Sequence, residues 1–445
     1  MITEPARTTP THSRSSADVT APHVTAPHTE ARSTPSRLSG IRRRIFLATV
    51  PSAVACAVAS KPLFAAARQR WRVGVIGHTG RGDYGHGMHT VWLKMPETEI
   101  VGLADADGPG RARVKQQLGV EHAFADYHQM LQQTRPEIVA VCPRHVDQHH
   151  AMIMAAIEGG AKGIYCEKPF CSTLAEADEV VAACEQAGVR LAIAHRNRYH
   201  PVLPVITKAI EAGVIGDLLE IRCRGKEDRR GGGEDLWVLG THLFNLVDYF
   251  SGPPIACSAV LLDGARPVSR ADVDVGAEGL GLLAGNRLHA RYQTESGQTV
   301  YFDSIRGHGI AAAGFGLQLI GNQGIIDLRI DAEPLAHFIP GNPFQPSKTP
   351  RPWLPITSGG IDQDEPIDNI KALVGGHLLA TRDLLSAISE SRPPLCSAAA
   401  GRTTLEMVHA TFASHLQDGR RVAIPLDNRS HPLAAWSPNK EAATR

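Results

Sequence analysis

"WRVGVIGHTGRGDYGHGMHTVWLKM", Trp71–Met95, runs from a short β-branched segment into a crowd of glycines, then out into apolar residues at helical spacing. Val73, Val75 and Ile76 read as a buried parallel strand that ends at Gly77. Gly77, Gly80, Gly82 and Gly85 crowd the turn, and Met88, Val91, Trp92 and Met95 predict a helix after it. Glycine lets backbone amides approach a pyrophosphate, and a helix N-terminus offers partial positive charge to the same group. The match of Gly80, Gly82 and Gly85 to GxGxxG is weak alone; the strand before it and the helix after it give it context. A second strand, "EIVGLADAD", follows, with Asp105 standing 28 residues beyond Gly77. A carboxylate there accepts ribose hydroxyls and favours NAD over NADP. The turn is longer than the minimal fingerprint, which leaves open which glycine faces the phosphates.

The alternation continues through "EIVAVCP", "HVDQHHAMIMAAIEGG", "KGIYCEKPF", "LAEADEVVAACEQAG" and "VRLAIAH", as strand, helix, strand, helix, strand. That is the pattern of a doubly wound parallel sheet, whose ligands bind beyond the carboxyl ends of its strands. Cys142-Pro143 and Glu167-Lys168-Pro169 both fall at such ends.

With 445 residues, 43% hydrophobic and 20% charged, the chain is long enough for two domains. A net charge of +1 without a sustained basic block in the body argues against nucleic acid or an anionic surface as partner. The 21 histidines are scattered, and no HxxEH, HExxH or paired CxxC spacing marks a metal site. Eight cysteines without framework spacing read as small buried hydrophobes, not as a disulfide scaffold. Residues 1–40, rich in Thr, Ser, Pro and His, read as a disordered extension. Residues 41–67 place Arg42–Arg44 before an apolar stretch and Ala65-Ala66-Ala67, and "RRIFL" fits the twin-arginine export pattern. This predicts the export machinery as a partner, a periplasmic or other extracytoplasmic location, and a cofactor loaded before export and tightly held.

From Arg72 to Leu426 the chain resembles the glucose–fructose oxidoreductase and inositol dehydrogenase family (Gfo/Idh/MocA). The resemblance rests on "GVIGHTGRG", "GLADAD", "CPRHVDQHH", "GGAKGIYCEKPF", "HRNRYHPVLPVITKAIEAGVIGDL", "GTHLFNLVDYF" and "LQLIGNQGIIDL", in that order. It implies an NAD-binding Rossmann domain over 68–197 and a C-terminal α/β domain over 198–428, built on an open, mostly antiparallel sheet. A flexible tail is expected over 429–445. It further implies a sugar, glycoside or polyol substrate, NAD or NADP as cofactor, and a homo-oligomer.

By the resemblance Lys168 is the catalytic lysine of the "EKP" turn. The chemistry agrees: hydride leaves a carbinol carbon as its hydroxyl loses a proton, and a cation beside the oxygen stabilises the developing alkoxide. His242 stands inside the apolar run "LWVLGTHLFNLVDYF", where an isolated imidazole reads as a core histidine. The resemblance makes it the partner in proton transfer instead, and an imidazole titrates near neutrality. Gly77, Gly80, Gly82, Asp105, Pro143, His149, Glu167, Lys168 and Pro169 form the expected cofactor-side set. Arg196, Arg198 and Tyr199 in "HRNRYHP", with Asp235 and Asn245, are the substrate-side candidates.

There is one departure. The family's dehydrogenases often carry Asp four residues before this histidine and another three after it. Val238 and Asn245 stand there, so the usual polyol-oxidising trio is incomplete. The flexible "RGGGED", Arg230–Asp235, offers Glu234 or Asp235 as a replacement carboxylate. The expected function is an exported NAD(P)-dependent oxidoreductase. The alternatives are a non-catalytic cofactor-containing sugar-binding protein, or glycoside cleavage through a transient keto intermediate.

Overall fold

The computed structural model describes residues 70–308 and 315–436. The expected extension (1–40) and signal segment (41–67) lie outside the described residues. β1 (Trp71–Ile76), β2 (Thr98–Ala104), β3 (Ala123–Phe124), β4 (Ile138–Val141), β5 (Gly163–Cys166) and β6 (Arg190–Ile193) form one all-parallel sheet. Their order is β3-β2-β1-β4-β5-β6, two βαβ halves that diverge between β1 and β4. Every residue of β4 and β5 is buried, as strands covered on both faces require.

The crossovers are the helices α1 (Gly108–Leu118), α2 (Tyr127–Thr134), α3 (His149–Glu158) and α4 (Leu174–Ala187). Asp107 caps α1 through the Gly110 amide, and Thr173 and Glu176 close a capping box on α4. No α-helix follows β1. The helix expected after the glycine turn is reduced to two 3₁₀ turns, Gly85–Gly87 and Val91–Lys94. Its apolar spacing is still used: Met88, Val91, Trp92 and Met95 are all buried.

The second domain opens with α5 (Val202–Glu211) and β7 (Leu218–Arg224). A single α turn (Gly233–Asp235) and a π turn (Leu236–Gly240) lead into α6 (Thr241–Ser251). The sheet adds β8 (Pro254–Asp263), β9 (Arg287–Thr294), β10 (Thr299–Ile305), β11 (Gly316–Gly321), β12 (Gly324–Arg329) and β13 (Ala336–Pro340). It is completed by β14 (Leu354–Thr357), β15 (Gly360–Ile361) and β16 (Val422–Ala423). The order is β15-β14-β13-β12-β11-β7-β10-β9-β8-β16, with Arg266–Pro267 pairing beside β8. All neighbours are antiparallel except β7 and β10. On β9, Leu288, Ala290 and Tyr292 turn inward and alternate with the less buried His289, Arg291 and Gln293.

α7 (Leu378–Ser389) and α8 (Ala398–His415) return to the first domain, where α7 packs on β5 and β6 and α8 packs on α4, α6 and β8. The opening of the expected flexible tail is fixed. Arg429 is ion-paired to Asp178 and Glu406, His431 is buried ahead of a 3₁₀ turn, Pro432–Trp436, and Leu433 is buried within it. An apolar Leu433 and a guanidinium facing two carboxylates give this segment contacts a loose tail lacks.

Candidate active site

The glycine turn is held from within by Asp105. Its carboxylate accepts from the Thr79 amide at 3.1 Å, the Thr79 hydroxyl at 2.6 Å, the Tyr84 hydroxyl at 2.6 Å and the Asp107 amide at 3.0 Å. Burial alone would raise this carboxyl's pKa, but those donors outweigh it and hold it below the usual carboxylate range. Burial and the facing Asp105 in turn push the Tyr84 phenol far up, so it remains a donor. Two glycines allow the close approaches. A Cβ on Gly77 would fall 2.0 Å from the Tyr84 ring, and one on Gly82, where φ is 93°, would fall 2.6 Å from the Arg144 amide nitrogen.

Beside the turn lies a cleft of about 360 Å³ at the carboxyl ends of β1 and β2, lined by Ile76, Gly77, Ala104, Asp105, Tyr127 and Met152 among others. Apolar walls with one aromatic ring suit an adenosine. Asp105, Asp126 and Asp147 line the cleft and no Lys or Arg does, a field that disfavours a 2′-phosphate. The residues present therefore fit NAD.

A second cavity, of about 230 Å³, opens at the end of β5. Glu167 and Lys168 enter from the turn after the strand, and Val238, Leu239 and His242 from the π turn and α6. Lys168 Nζ donates to the Val238 carbonyl at 3.2 Å, so the widened helical turn holds the lysine in place. Burial lowers the Lys168 pKa, and the adjacent Glu167 opposes it. Glu167 is pushed up by burial, opposed by Lys168, and a Cβ on Gly85 would fall 2.9 Å from its carboxyl carbon. The Glu167 side chain thus packs against Gly85 of the glycine turn. His242 is held well below the ordinary imidazole range, by burial first and by Lys168 second. Its Nδ1 lies 3.4 Å from Nδ1 of His195, whose pKa burial lowers to about 3, so both rings are neutral at neutral pH.

A doubly wound sheet carrying a glycine turn, with a lysine and a histidine facing one cavity from two domains, agrees with the comparisons to known proteins. Residues 71–195 match the oxidoreductase-family NAD-binding Rossmann fold, and residues 207–424 match that family's C-terminal alpha/beta domain. The chain belongs to the Gfo/Idh/MocA oxidoreductase family. D-apiose dehydrogenase of Paraburkholderia graminis is 34% identical over 125 residues, 28% of this chain and 33% of that protein. Myo-inositol 2-dehydrogenase of Thermotoga maritima is 26% identical over 216 residues, 47% of this chain and 61% of its own length. The chain thus spans a third and about three fifths of these two curated relatives. A levoglucosan dehydrogenase solved with NADH and levoglucosan shares the fold, with a TM-score of 0.64 at 19% identity over 80% of this chain and all of that one.

Within this Gfo/Idh/MocA framework, Lys168, Glu167, Arg196 and His242 share the cavity, and Gly77 and Asp105 share the cleft. Other expected site residues have different roles. Asp105 spends its acceptor sites on Thr79, Tyr84 and Asp107, so it organises the turn, and a ribose hydroxyl reaches it only by displacing one of those donors. His149 lies between the Pro143 carbonyl, 2.7 Å from Nε2, and the Pro169 carbonyl, 2.8 Å from Nδ1; burial lowers its pKa, and the neutral ring donates to one of the two. Gly80 has open space around it.

On the substrate side, Asp235 does not swing into the cavity. It is fully buried and accepts from the Ser304 hydroxyl at 2.6 Å and the Glu227 amide at 3.0 Å, because Gly225, just past the end of β7, leaves room for it. Asn245 donates to Cys396 Sγ at 3.3 Å, Arg198 pairs with Asp248 and stacks on Tyr249, and Tyr199 is buried; none of the three lines the cavity. Arg196 lines it, paired to Asp331 at 3.2 Å and bonded to the Gly375 carbonyl at 2.8 Å. Glu278, Phe315 and His377 also line it, and nothing in their local sequence marked them. Among the described residues no cluster of His, Cys, Asp and Glu is arranged for a metal, and the seven described cysteines are free and buried.

Proposed function

We propose that this protein is an NAD-dependent oxidoreductase that moves hydride between the nicotinamide and a carbinol carbon of a sugar, glycoside or polyol. The observation that carries the reading is the placement of Lys168 and neutral His242 in one buried cavity beyond β5, next to the glycine turn. When bound, the cofactor supplies the hydride acceptor or donor. In oxidation the carbinol C–H bond gives up its hydride, the O–H proton passes to the neutral His242 imidazole, and a carbonyl remains. Lys168 stabilises the oxygen as it gains charge. Arg196, fixed by Asp331 and Gly375, offers remaining N–H groups to substrate oxygens.

The sequence supports two further parts of the proposal. "RRIFL" at residues 43–47 and the apolar stretch after it support export by the twin-arginine route, and that route supports a cofactor carried in a tightly bound, recycled state. Assembly into a homo-oligomer is what the family resemblance supports.

The test uses the full chain purified without added nucleotide. Mass analysis of what it releases on denaturation identifies the nucleotide, and absorbance of the bound nicotinamide is followed as levoglucosan, myo-inositol and D-apiose are added. Lys168→Met should cut kcat by about 10²–10⁴-fold while leaving the nucleotide bound. A bound nucleotide whose spectrum no sugar or polyol moves would instead leave a cofactor-containing binding protein.

A further inference from the structure

His377 is an imidazole of the catalytic cavity with no part in the proton transfer described above. It stands just before α7, far in sequence from the other cavity residues, and it is 1% exposed. Its backbone is left-handed, φ 65° and ψ 2°, a conformation that residues with a β-carbon adopt reluctantly. Backbone strain of this kind persists where surrounding contacts fix the side chain in one place.

One of those contacts comes from Tyr165, three residues before Lys168 on β5. Its hydroxyl lies 2.7 Å from His377 Nδ1, with the two rings edge to face at 5.7 Å. The pair sets the tautomer. Burial drives the Tyr165 pKa well up, so the phenol keeps its proton, and Nδ1 is its one hydrogen-bond partner among the described residues. The phenol therefore donates and Nδ1 accepts. Burial, then Arg196, lowers the His377 pKa to about 3, so the ring is neutral and its single N–H sits on Nε2. A hydrogen-bonding contact to the His86 backbone opposes that lowering, yet at ordinary N–H···O geometry Nε2 has no partner among the described residues. A buried N–H without a well-placed acceptor is uncommon and costly, and this one belongs to a side chain lining the catalytic cavity.

We propose that His377 is a substrate-positioning and specificity residue whose Nε2–H donates to a second hydroxyl of the substrate, one that is not oxidised. Lys168 and His242 serve the reacting oxygen, and His377 gives the cavity a donor for another. The site would thereby select polyhydroxylated rings over simple alcohols. The inference rests on the oxidoreductase reading of this cavity.

The experiment compares wild type, His377→Ala and His377→Gln of the full chain, saturated with NAD⁺, with levoglucosan and myo-inositol as probes. Loss of one neutral hydrogen bond should raise KM of the alanine variant roughly three- to tenfold with little change in kcat. The glutamine variant, which restores an N–H at similar reach, should recover most of it, and NAD⁺ affinity should be the same in all three. An unchanged KM, or a defect confined to NAD⁺ affinity, would overturn the proposal. Nitrogen-15 spectra of histidine-labelled protein read the tautomer without turnover, with the His377 signal assigned by its absence in His377→Gln. The Nε2–H form is expected, and an Nδ1–H form would overturn the proposal even if neither sugar is a substrate. Absence of turnover by wild type with both sugars counts against the oxidoreductase reading alone.

Discussion

Replacing Asp105 by Asn separates two roles that a carboxylate at the end of β2 can play. If its task is to receive ribose hydroxyls, the substitution weakens NAD binding and leaves the nucleotide-free protein as stable as before. If it organises the glycine turn, the nucleotide-free protein itself suffers. The geometry favours the second outcome. Asp105 accepts from two hydroxyls at 2.6 Å, Thr79 and Tyr84, and from two backbone amides at 3.1 and 3.0 Å. An asparagine keeps one oxygen for the amides but presents an NH₂ to the two hydroxyls, which then lose a charged acceptor. Hydrogen bonds to charged groups contribute about 1.5–3 kcal/mol each, and partial rearrangement of the hydroxyls leaves a net loss of about 3 kcal/mol. For a domain of this size that lowers Tm by about 6–12 °C. Thermal unfolding of the nucleotide-free variant is the assay, repeated with NAD. An unchanged Tm without nucleotide, with a loss seen only in its presence, would refute the turn-organising role. The wild type carries the same signature in its pH dependence. Because the folded pKa is depressed, the stabilisation is present above the unfolded value of about 3.9 and is lost as pH falls through the folded one.

The buried His431, stacked on Trp237, has its pKa lowered to about 4 by burial. Below an unfolded pKa of about 6.5 the unfolded chain takes up this proton first, so about 3 kcal/mol of stability is lost between there and the folded value. His431→Phe should flatten that part of a denaturant-midpoint profile. Asn245→Asp should lower stability by about 1–3 kcal/mol, because the new carboxylate faces Cys396 in the interior, and should leave KM and kcat unchanged in steady-state assays. Val238→Asp places a carboxylate where the cavity has none on that helix; it should raise the pKa of His242, read as a shift of the acidic limb of the pH–rate profile to higher pH.

The parallel sheet was legible because buried strands write themselves as unbroken apolar runs, and "EIVAVC" or "KGIYC" admit little else. Lys168 and His242, the proposed proton-handling pair, were marked by the family resemblance of the short motifs that hold them, and both line one cavity. The helix after the glycine turn was misread because Met88, Val91, Trp92 and Met95 carry the right spacing, and two 3₁₀ turns bury the same four side chains. Asp235, Tyr199 and Asn245 were misplaced because composition gives a polar residue near a motif no direction. A one-residue π expansion between Asp235 and Thr241 is enough to change which face of the helix each side chain occupies. Arg196 escaped that ambiguity through its length, which carries its guanidinium to Asp331 from a turn that buries Tyr199.

The two positions at which this chain departs from the motif that the family resemblance implies therefore do different things. Asn245 is directed into the interior, so the loss of a carboxylate there does not touch the reacting oxygen. Val238 lines the cavity, and its carbonyl, unaffected by the side chain, still holds Lys168. What the valine removes is a counter-charge for His242. Without it the imidazole remains neutral and is a weak base, and the imidazolium formed beside Lys168 is held less firmly than a carboxylate would hold it. Such an imidazolium gives its proton back readily. A site tuned this way makes His242 stronger as an acid, in carbonyl reduction, than as a base, in carbinol oxidation.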